Sequence, residues 1–273
     1  PLYTFQDIKK SSSNNDSDTS GYTFEYSSEN DDGMYDALNK GIEFALEHAP
    51  CQASRTSGDE QQPLNSKPQI PNSIFAWLNC DEQYLTGSLK KVFDYFEQCP
   101  TTDFLYGNTL HVNIEGKFLT YRKNPPLRKL YVRTDHLYIQ SASTFFRASI
   151  FEEGARFDTS LKAISDCVFI INLLEKKKVA RNIHDYLSIF TMTGDNLSIE
   201  DVGLKELKYW YETAPAFIRL FRPIINGFRY FEKLLVGGYS ERFPLKYSIY
   251  TDDINARKLF VRSSGSWRFT WGH

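Results

Sequence analysis

The chain has 273 residues, enough to bury one large core, and its 32 Lys and Arg against 34 Asp and Glu leave it close to neutral. No global basic field recommends nucleic acid as a partner, so any anion site has to be local. With 41% hydrophobic and 24% charged residues and no apolar stretch of bilayer length, the composition is that of a globular protein without an integral span.

Residues 2–6, rich in Tyr, Thr and Phe and ending at Asp7, have the profile of a buried strand. The Ser/Asn/Asp run 11–18 cannot bury a face and reads as a surface loop before a second strand-like run at 22–26. Asp31-Asp32-Gly33 opens a helix over 34–49, where Met34, Ala37, Leu38, Ile42, Ala45 and Leu46 recur at helical spacing. Residues 50–72, with Pro63, Pro68 and Pro71, are an inserted loop. The apolar run 73–78 predicts a strand covered on both faces of an α/β sheet, ending on Asn79-Cys80-Asp81-Glu82. An amphipathic helix over 89–98 stops at Pro100, and strand candidates follow at 104–106, 109–114 and 117–121 around a Glu115-Gly116 turn. Residues 206–236 are helix-prone, with Pro223 as a kink or boundary, and 247–250 and 258–262 read as strands. Cys51, Cys80, Cys99 and Cys167 form no Cys-x-x-Cys pair, which points to a reducing compartment. The first residues carry no basic and then apolar leader, so no secretory signal is expected.

In an α/β fold ligands sit beyond the carboxyl ends of the strands, where Asp7 and Asp81 are expected. There is no Gly-x-Gly-x-x-Gly and no Gly-x-x-x-x-Gly-Lys-Ser/Thr to grip phosphate, and a metal ion is the natural substitute. The carboxylates of Asn79-Cys80-Asp81-Glu82 make a hard oxygen site suited to Mg2+ or Mn2+. Read alone, those four residues are as well explained by a solvated acidic turn. Asp36, Asn39 and Lys40 fall within about one helical turn and can converge on one ligand, although a capped amphipathic helix accounts for them equally.

Two runs in this order resemble bacterial glycosyltransferase family 2. They are Ser28-Glu29-Asn30-Asp31-Asp32-Gly33-Met34-Tyr35-Asp36-Ala37-Leu38-Asn39-Lys40-Gly41 and Ala76-Trp77-Leu78-Asn79-Cys80-Asp81-Glu82-Gln83-Tyr84-Leu85. Gln140 to Arg147 is similar to the family's Gln-x-x-x-Phe-Phe-Arg segment, and Phe157-Asp158 with Ser165-Asp166 to its acceptor-side block. The resemblance runs over about residues 2–198 and implies a GT-A fold, a Rossmann-like mixed sheet flanked by helices. It implies domains at 1–200 (GT-A), 201–240 (helical extension) and 241–273 (tail with short strands). The function implied is transfer of a sugar, with inversion, from a nucleoside-diphosphate donor such as a UDP-sugar to a glycan or lipid-linked acceptor.

By the same resemblance Asp7 contacts the nucleoside, Asp81 holds the Mg2+ or Mn2+, and Asp36, Asn39, Lys40, Asn79 and Gln140 line the donor site. Asp166 matches the general base. The family's first strand has no counterpart before Leu2, Ile8-Lys9-Lys10-Ser11-Ser12-Ser13 replaces its usual loop, and Ser165 replaces the acid that often precedes the base. Those departures motivate the alternative of a non-catalytic nucleotide-sugar-binding module. His136 and His184 are lone histidines, with ordinary structural roles as their simplest reading.

Along 217–235, Phe217, Leu220, Phe221, Ile224, Phe228 and Leu235 interleave with Arg219, Arg222, Arg229 and Lys233. That pattern fits either a basic interfacial helix or a helix packed on the catalytic domain with solvated arginines. The expected location is cytoplasmic, with peripheral contact at the inner face of a membrane.

Overall fold

The computed structural model describes residues 30–48, 73–192, 201–251, 253 and 255–268. The strand expectations at 2–6 and 22–26, the loops at 11–18 and 50–72, and Asp7 lie outside the described residues. The chain divides into two compact units, Pro1–Asp31 and Asp32–His273, and the elements below belong to the second.

In chain order they are α1 (Met34–His48), β1 (Ile74–Phe75), β2 (Glu82–Tyr84), α2 (Ser88–Gln98), β3 (Phe104–Asn113), β4 (Phe118–Arg122) and α3 (Lys129–Thr134). Then follow a 3-10 turn at Ser141–Ser143, β5 (Thr144–Arg147), α4 (Ala148–Glu152), α5 (Ser165–Glu175) and β6 (Ala180–Met192). The last elements are α6 (Asp201–Glu212), α7 (Ala216–Leu235), β7 (Leu245–Ile249) and β8 (Lys258–Arg262). The architecture is α/β. Among the described residues six strands form one mixed sheet in the order β1-β5-β3-β6-β2, with β4 also paired to β3. The pairs are antiparallel except β3 with β6, which run parallel from Phe104↔Ala180 to Asn113↔Met192.

Strand β3 is buried from Phe104 to Val112 because both its faces are covered. Phe104 and Tyr106 pack with Tyr35 and Ile42 of α1 and Phe169 and Ile170 of α5. Leu105, one residue out of phase, faces Val92 and Phe96 of α2 on the other side. Phe146 and Phe145 of β5 divide between the same two clusters. Full burial of such a side chain stabilises by about 1.5–3 kcal/mol, so this period-two alternation across one sheet supplies much of the hydrophobic driving force.

Three element expectations change. The run 73–78 is not an internal strand: only Ile74 and Phe75 pair, with β5, at the end of the sheet order, and Ala76 and Leu78 are exposed. Trp77 instead stacks on Phe146 at 5.4 Å. The candidates 104–106 and 109–114 are one strand, continuous through Gly107 and Asn108. Asn108 there donates to the His184 carbonyl at 2.8 Å and accepts from the Asn124 amide at 3.1 Å. Pro223 does not divide 206–236: the break falls before Pro215, which caps α7, and Pro223 sits on an exposed position inside the helix.

At Gly107 a Cβ would come within 2.5 Å of Leu187 Cδ1 and 2.9 Å of the Asp185 carbonyl oxygen. The missing side chain therefore sets how closely β3 and β6 approach. Gly107→Ala is expected to lower unfolding free energy by about 1–3 kcal/mol, the usual cost of overpacking. The urea midpoint of the variant checks this, and an unchanged midpoint refutes it.

Candidate functional site

A cavity of 1010 Å3 opens between the sheet, α5 and α7, and its lining includes His111, Arg122, Gln140, Asp166, Arg229 and Lys233. Two of the residues singled out by sequence, Gln140 and Asp166, thus share one concavity. Asp166 stands in the first turn of α5, where an acid is favoured by the orphan backbone amides. Its Oδ1 accepts the Cys167 amide at 2.8 Å and the Tyr35 hydroxyl of α1 at 3.3 Å. Burial pushes the Asp166 carboxyl up to about 6, outweighing those hydrogen bonds. The Tyr35 phenol is pushed well above its ordinary range by burial and then by the Asp166 charge.

Positive charge faces this carboxylate across the cavity lining. Arg229, 5% exposed, pairs with Asp135, which is also bonded by His136 at 3.2 Å. Burial would raise the Asp135 carboxyl, but His136 and Arg229 prevail and hold it well below the usual carboxylate range. Arg122 and Lys233, in contrast, have no carboxylate partner among the described residues. Arg122 reaches the Trp267 carbonyl at 3.3 Å, and the Lys233 ammonium lies 5.3 Å from the Tyr239 ring centre. Burial, with the neighbouring Arg122 and Arg229 charges, pulls Lys233 down to about 8. His111 completes the wall: it is 6% exposed, both ring nitrogens lack a partner among the described residues, and burial followed by the Arg122 charge pushes it down to about 3.

The other expected donor-site residues lie off this lining. Asn39 exchanges two hydrogen bonds of 2.9 Å with the Phe157 backbone, clamping α1 to the segment that leads into α5. Asp36 and Lys40 form an ion pair at 2.9 Å, and Asp36 also accepts the Asp32 amide at 3.0 Å. Asn79 shapes the acidic turn: its amide donates to Glu82 Oε2 at 2.8 Å, and its carbonyl accepts the Glu82 amide at 3.1 Å. Asp81 is half-buried beside it, with its carbonyl held by the Thr191 amide at 2.9 Å. His184 is exposed on β6, with φ 59°.

Glu82, not Asp81, is the buried acid of the turn, 5% exposed, and its Oε1 lies 3.5 Å from the Ser141 hydroxyl, next to Gln140. Burial and then the Asp81 charge raise it to about 7. Among the described residues no group of three or more metal-ligating side chains converges. Both Glu82 oxygens are taken up within the turn, by the Asn79 amide and the Ser141 hydroxyl, whereas half-buried Asp81 fits a Mg2+ or Mn2+ held largely by substrate phosphates, which needs only one or two protein carboxylates. Sequence reasoning missed Tyr35, His111, Arg122 and Asp135. It included Glu82 in the acidic run, but did not single it out as the buried member. The Arg229–Asp135 pair joins residues 94 positions apart and carried no signal in the sequence.

The raised Glu82 has a consequence for stability. Its folded state holds the proton more firmly than the unfolded chain, so its contribution is present below about pH 4.5 and is lost as pH rises through about 7. Glu82→Gln removes that loss. Its melting temperature is expected to exceed wild type by a few degrees near pH 8 and to match it near pH 4. Parallel melting curves across pH check this, and a constant offset refutes it.

Compared with known protein families and with curated proteins, the sequence matches none, so the chemistry has to be read from the side chains gathered around the cavity.

Proposed function

We propose that the chain is a metal-dependent GT-A-type glycosyltransferase that moves a sugar from a nucleoside-diphosphate donor, such as a UDP-sugar, to a hydroxyl of a glycan or lipid-linked acceptor. One observation carries the reading: a carboxyl group raised to about 6 and two cations without carboxylate partners line the same cavity. Asp166 is the base and Gln140 a donor-pocket residue. Arg122 and Lys233 supply positive charge for a diphosphate, since Asp135 already balances Arg229.

In the transfer step the acceptor oxygen attacks the anomeric carbon from the face opposite the leaving group. Its proton passes to the Asp166 carboxylate as the new C–O bond forms. The bond to the nucleoside diphosphate breaks, and the electron pair leaves on the diphosphate oxygen. Tyr35 orients Asp166 and favours its ionised form by donating to Oδ1. A divalent cation bound at Asp81 would add Lewis-acid stabilisation of the leaving group. The acidic turn reaches the cavity wall through Glu82 and Ser141, which supports a donor lying between them.

Asp166→Asn should retain donor affinity in calorimetry and lower kcat by about a hundred-fold or more. Turnover by wild type should fall below about pH 6, and Tyr35→Phe should move that limb upward. A wild-type chain that binds donor but gives no product with any acceptor would leave the non-catalytic binding module in its place. Asp81→Asn should weaken Mg2+-dependent nucleotide binding, and unchanged metal dependence would remove Asp81 from the site.

A further inference from the structure

Helix α7 has two faces of opposite character. One is an outward apolar stripe of Phe217, Leu220, Ile224, Phe228, Phe231 and Leu235, spaced by three and four residues and each more than half exposed. No described helix, α7 included, is long and apolar enough to cross a membrane. The other face turns toward α3 and α6 and is charged. There Arg219 and Arg222 flank a recess of 220 Å3 whose floor includes the buried Ile218, and Arg133 of α3 lines it from the other side.

These three guanidinium groups are gathered without being neutralised. Arg128, Arg156 and Arg229 each have a carboxylate partner, whereas Arg133, Arg219 and Arg222 have none among the described residues. Arg219 and Arg222, three apart on one helix, repel each other. The acid of the recess, Glu212, lies 3.8 Å from Lys208, and both of those side chains are exposed. Two of the arginines are nonetheless fixed in place. Arg133 lies over the Trp210 ring, 3.9 Å from its centre, and Arg222 over the Tyr211 ring at 4.4 Å. Stacking engages the flat face of a guanidinium and leaves its in-plane N–H groups able to donate. Arg133 gives one N–H to the Trp210 carbonyl and one to the Thr213 hydroxyl, out of the five it carries.

Size and charge narrow the ligand. Sites that enclose a drug-sized molecule run from about 300 to 1000 Å3, so this recess suits one small anionic group and leaves the rest of a larger ester outside. Guanidinium forks match phosphate oxygens, and three of them match a group with three unesterified oxygens. We propose that the recess between α3, α6 and α7 is a phosphate site, in which Arg133, Arg219 and Arg222 donate to the oxygens of a phosphomonoester or of inorganic phosphate. It shares no lining residue with the cavity of Asp166, so it stands without the transferase reading.

Calorimetry of the full chain in chloride buffer tests this, with inorganic phosphate, methyl phosphate and dimethyl phosphate as titrants. Phosphate and methyl phosphate are expected to bind, and dimethyl phosphate, with fewer free oxygens and a single charge, at least about ten-fold more weakly. Arg219→Gln and Arg222→Gln should each lower phosphate affinity about ten-fold. The Arg219 side chain is exposed and makes no hydrogen bond among the described residues, so Arg219→Gln remains a fair test should Arg222→Gln not fold. Tighter binding of methyl phosphate than of phosphate indicates a soluble ester as the source. Tighter binding of phosphatidic acid vesicles, weakened by Arg219→Gln, indicates a lipid-borne one. Wild type that binds none of these probes overturns the inference. Phosphate binding that Arg122→Gln abolishes and Arg219→Gln leaves unchanged also overturns it, since the anion then sits in the cavity. Donor binding decides the transferase reading separately, so failure of one is not failure of the other.

Discussion

The parallel pairing of β3 with β6 is the constraint on which the rest depends. Strand β5 lies antiparallel to β3 and ends beside Phe104, the end at which β6 begins, so the chain has only to pass from one side of β3 to the other. Helix α5 lies in that connection, packed on the sheet through Phe169 and Ile170, and carries Asp166 in its first turn. Gly107 permits the close approach of the two strands, and the Ser143 hydroxyl, 2.6 Å from Ser188 and 2.9 Å from Thr109, ties β3 and β6 to the turn that leads into β5. Gln140 and Ser141 reach the cavity from that same turn.

Around the cavity, burial acts oppositely on acids and bases. It raises Asp166 and Glu82 and lowers His111 and Lys233, so each group is moved toward its neutral form. Asp135 and Arg229 escape together, because each holds the other charged and His136 also bonds to Asp135. The outcome is a wall whose charges are poised rather than satisfied. A polyanionic ligand entering there would strengthen the ionised state of Lys233, while a hydroxyl presented to Asp166 meets a base ionised near neutrality.

The helices over 34–48 and 88–98 were legible in the sequence because each carries a one-sided apolar stripe. Strand β6 was not. Its first half contains Arg181, Asn182, His184 and Asp185, and only Leu187, Ser188 and Ile189 are fully buried, so alternation never develops over the length that would mark a strand. The run 73–78 misled in the opposite sense, since its apolar side chains cover a sheet edge through Trp77 rather than enter the sheet. Asp166 and Gln140 were found through motif resemblance, which orders residues along the chain. Of the cations opposite them, Arg122 ends β4, while Arg229 and Lys233 come from α7, where their spacing marks a helix face without telling which way it points. Sequence periodicity reports that a helix has two sides. Only the fold says which side meets the core.

The outward stripe of α7 also carries a thermal signature. Water ordered around exposed apolar side chains contributes heat capacity, and covering the stripe removes it. Whatever surface α7 meets, its association has a negative heat-capacity change and weakens on cooling, as apolar contacts do. A chain held by this stripe would be released by cold, whatever the salt.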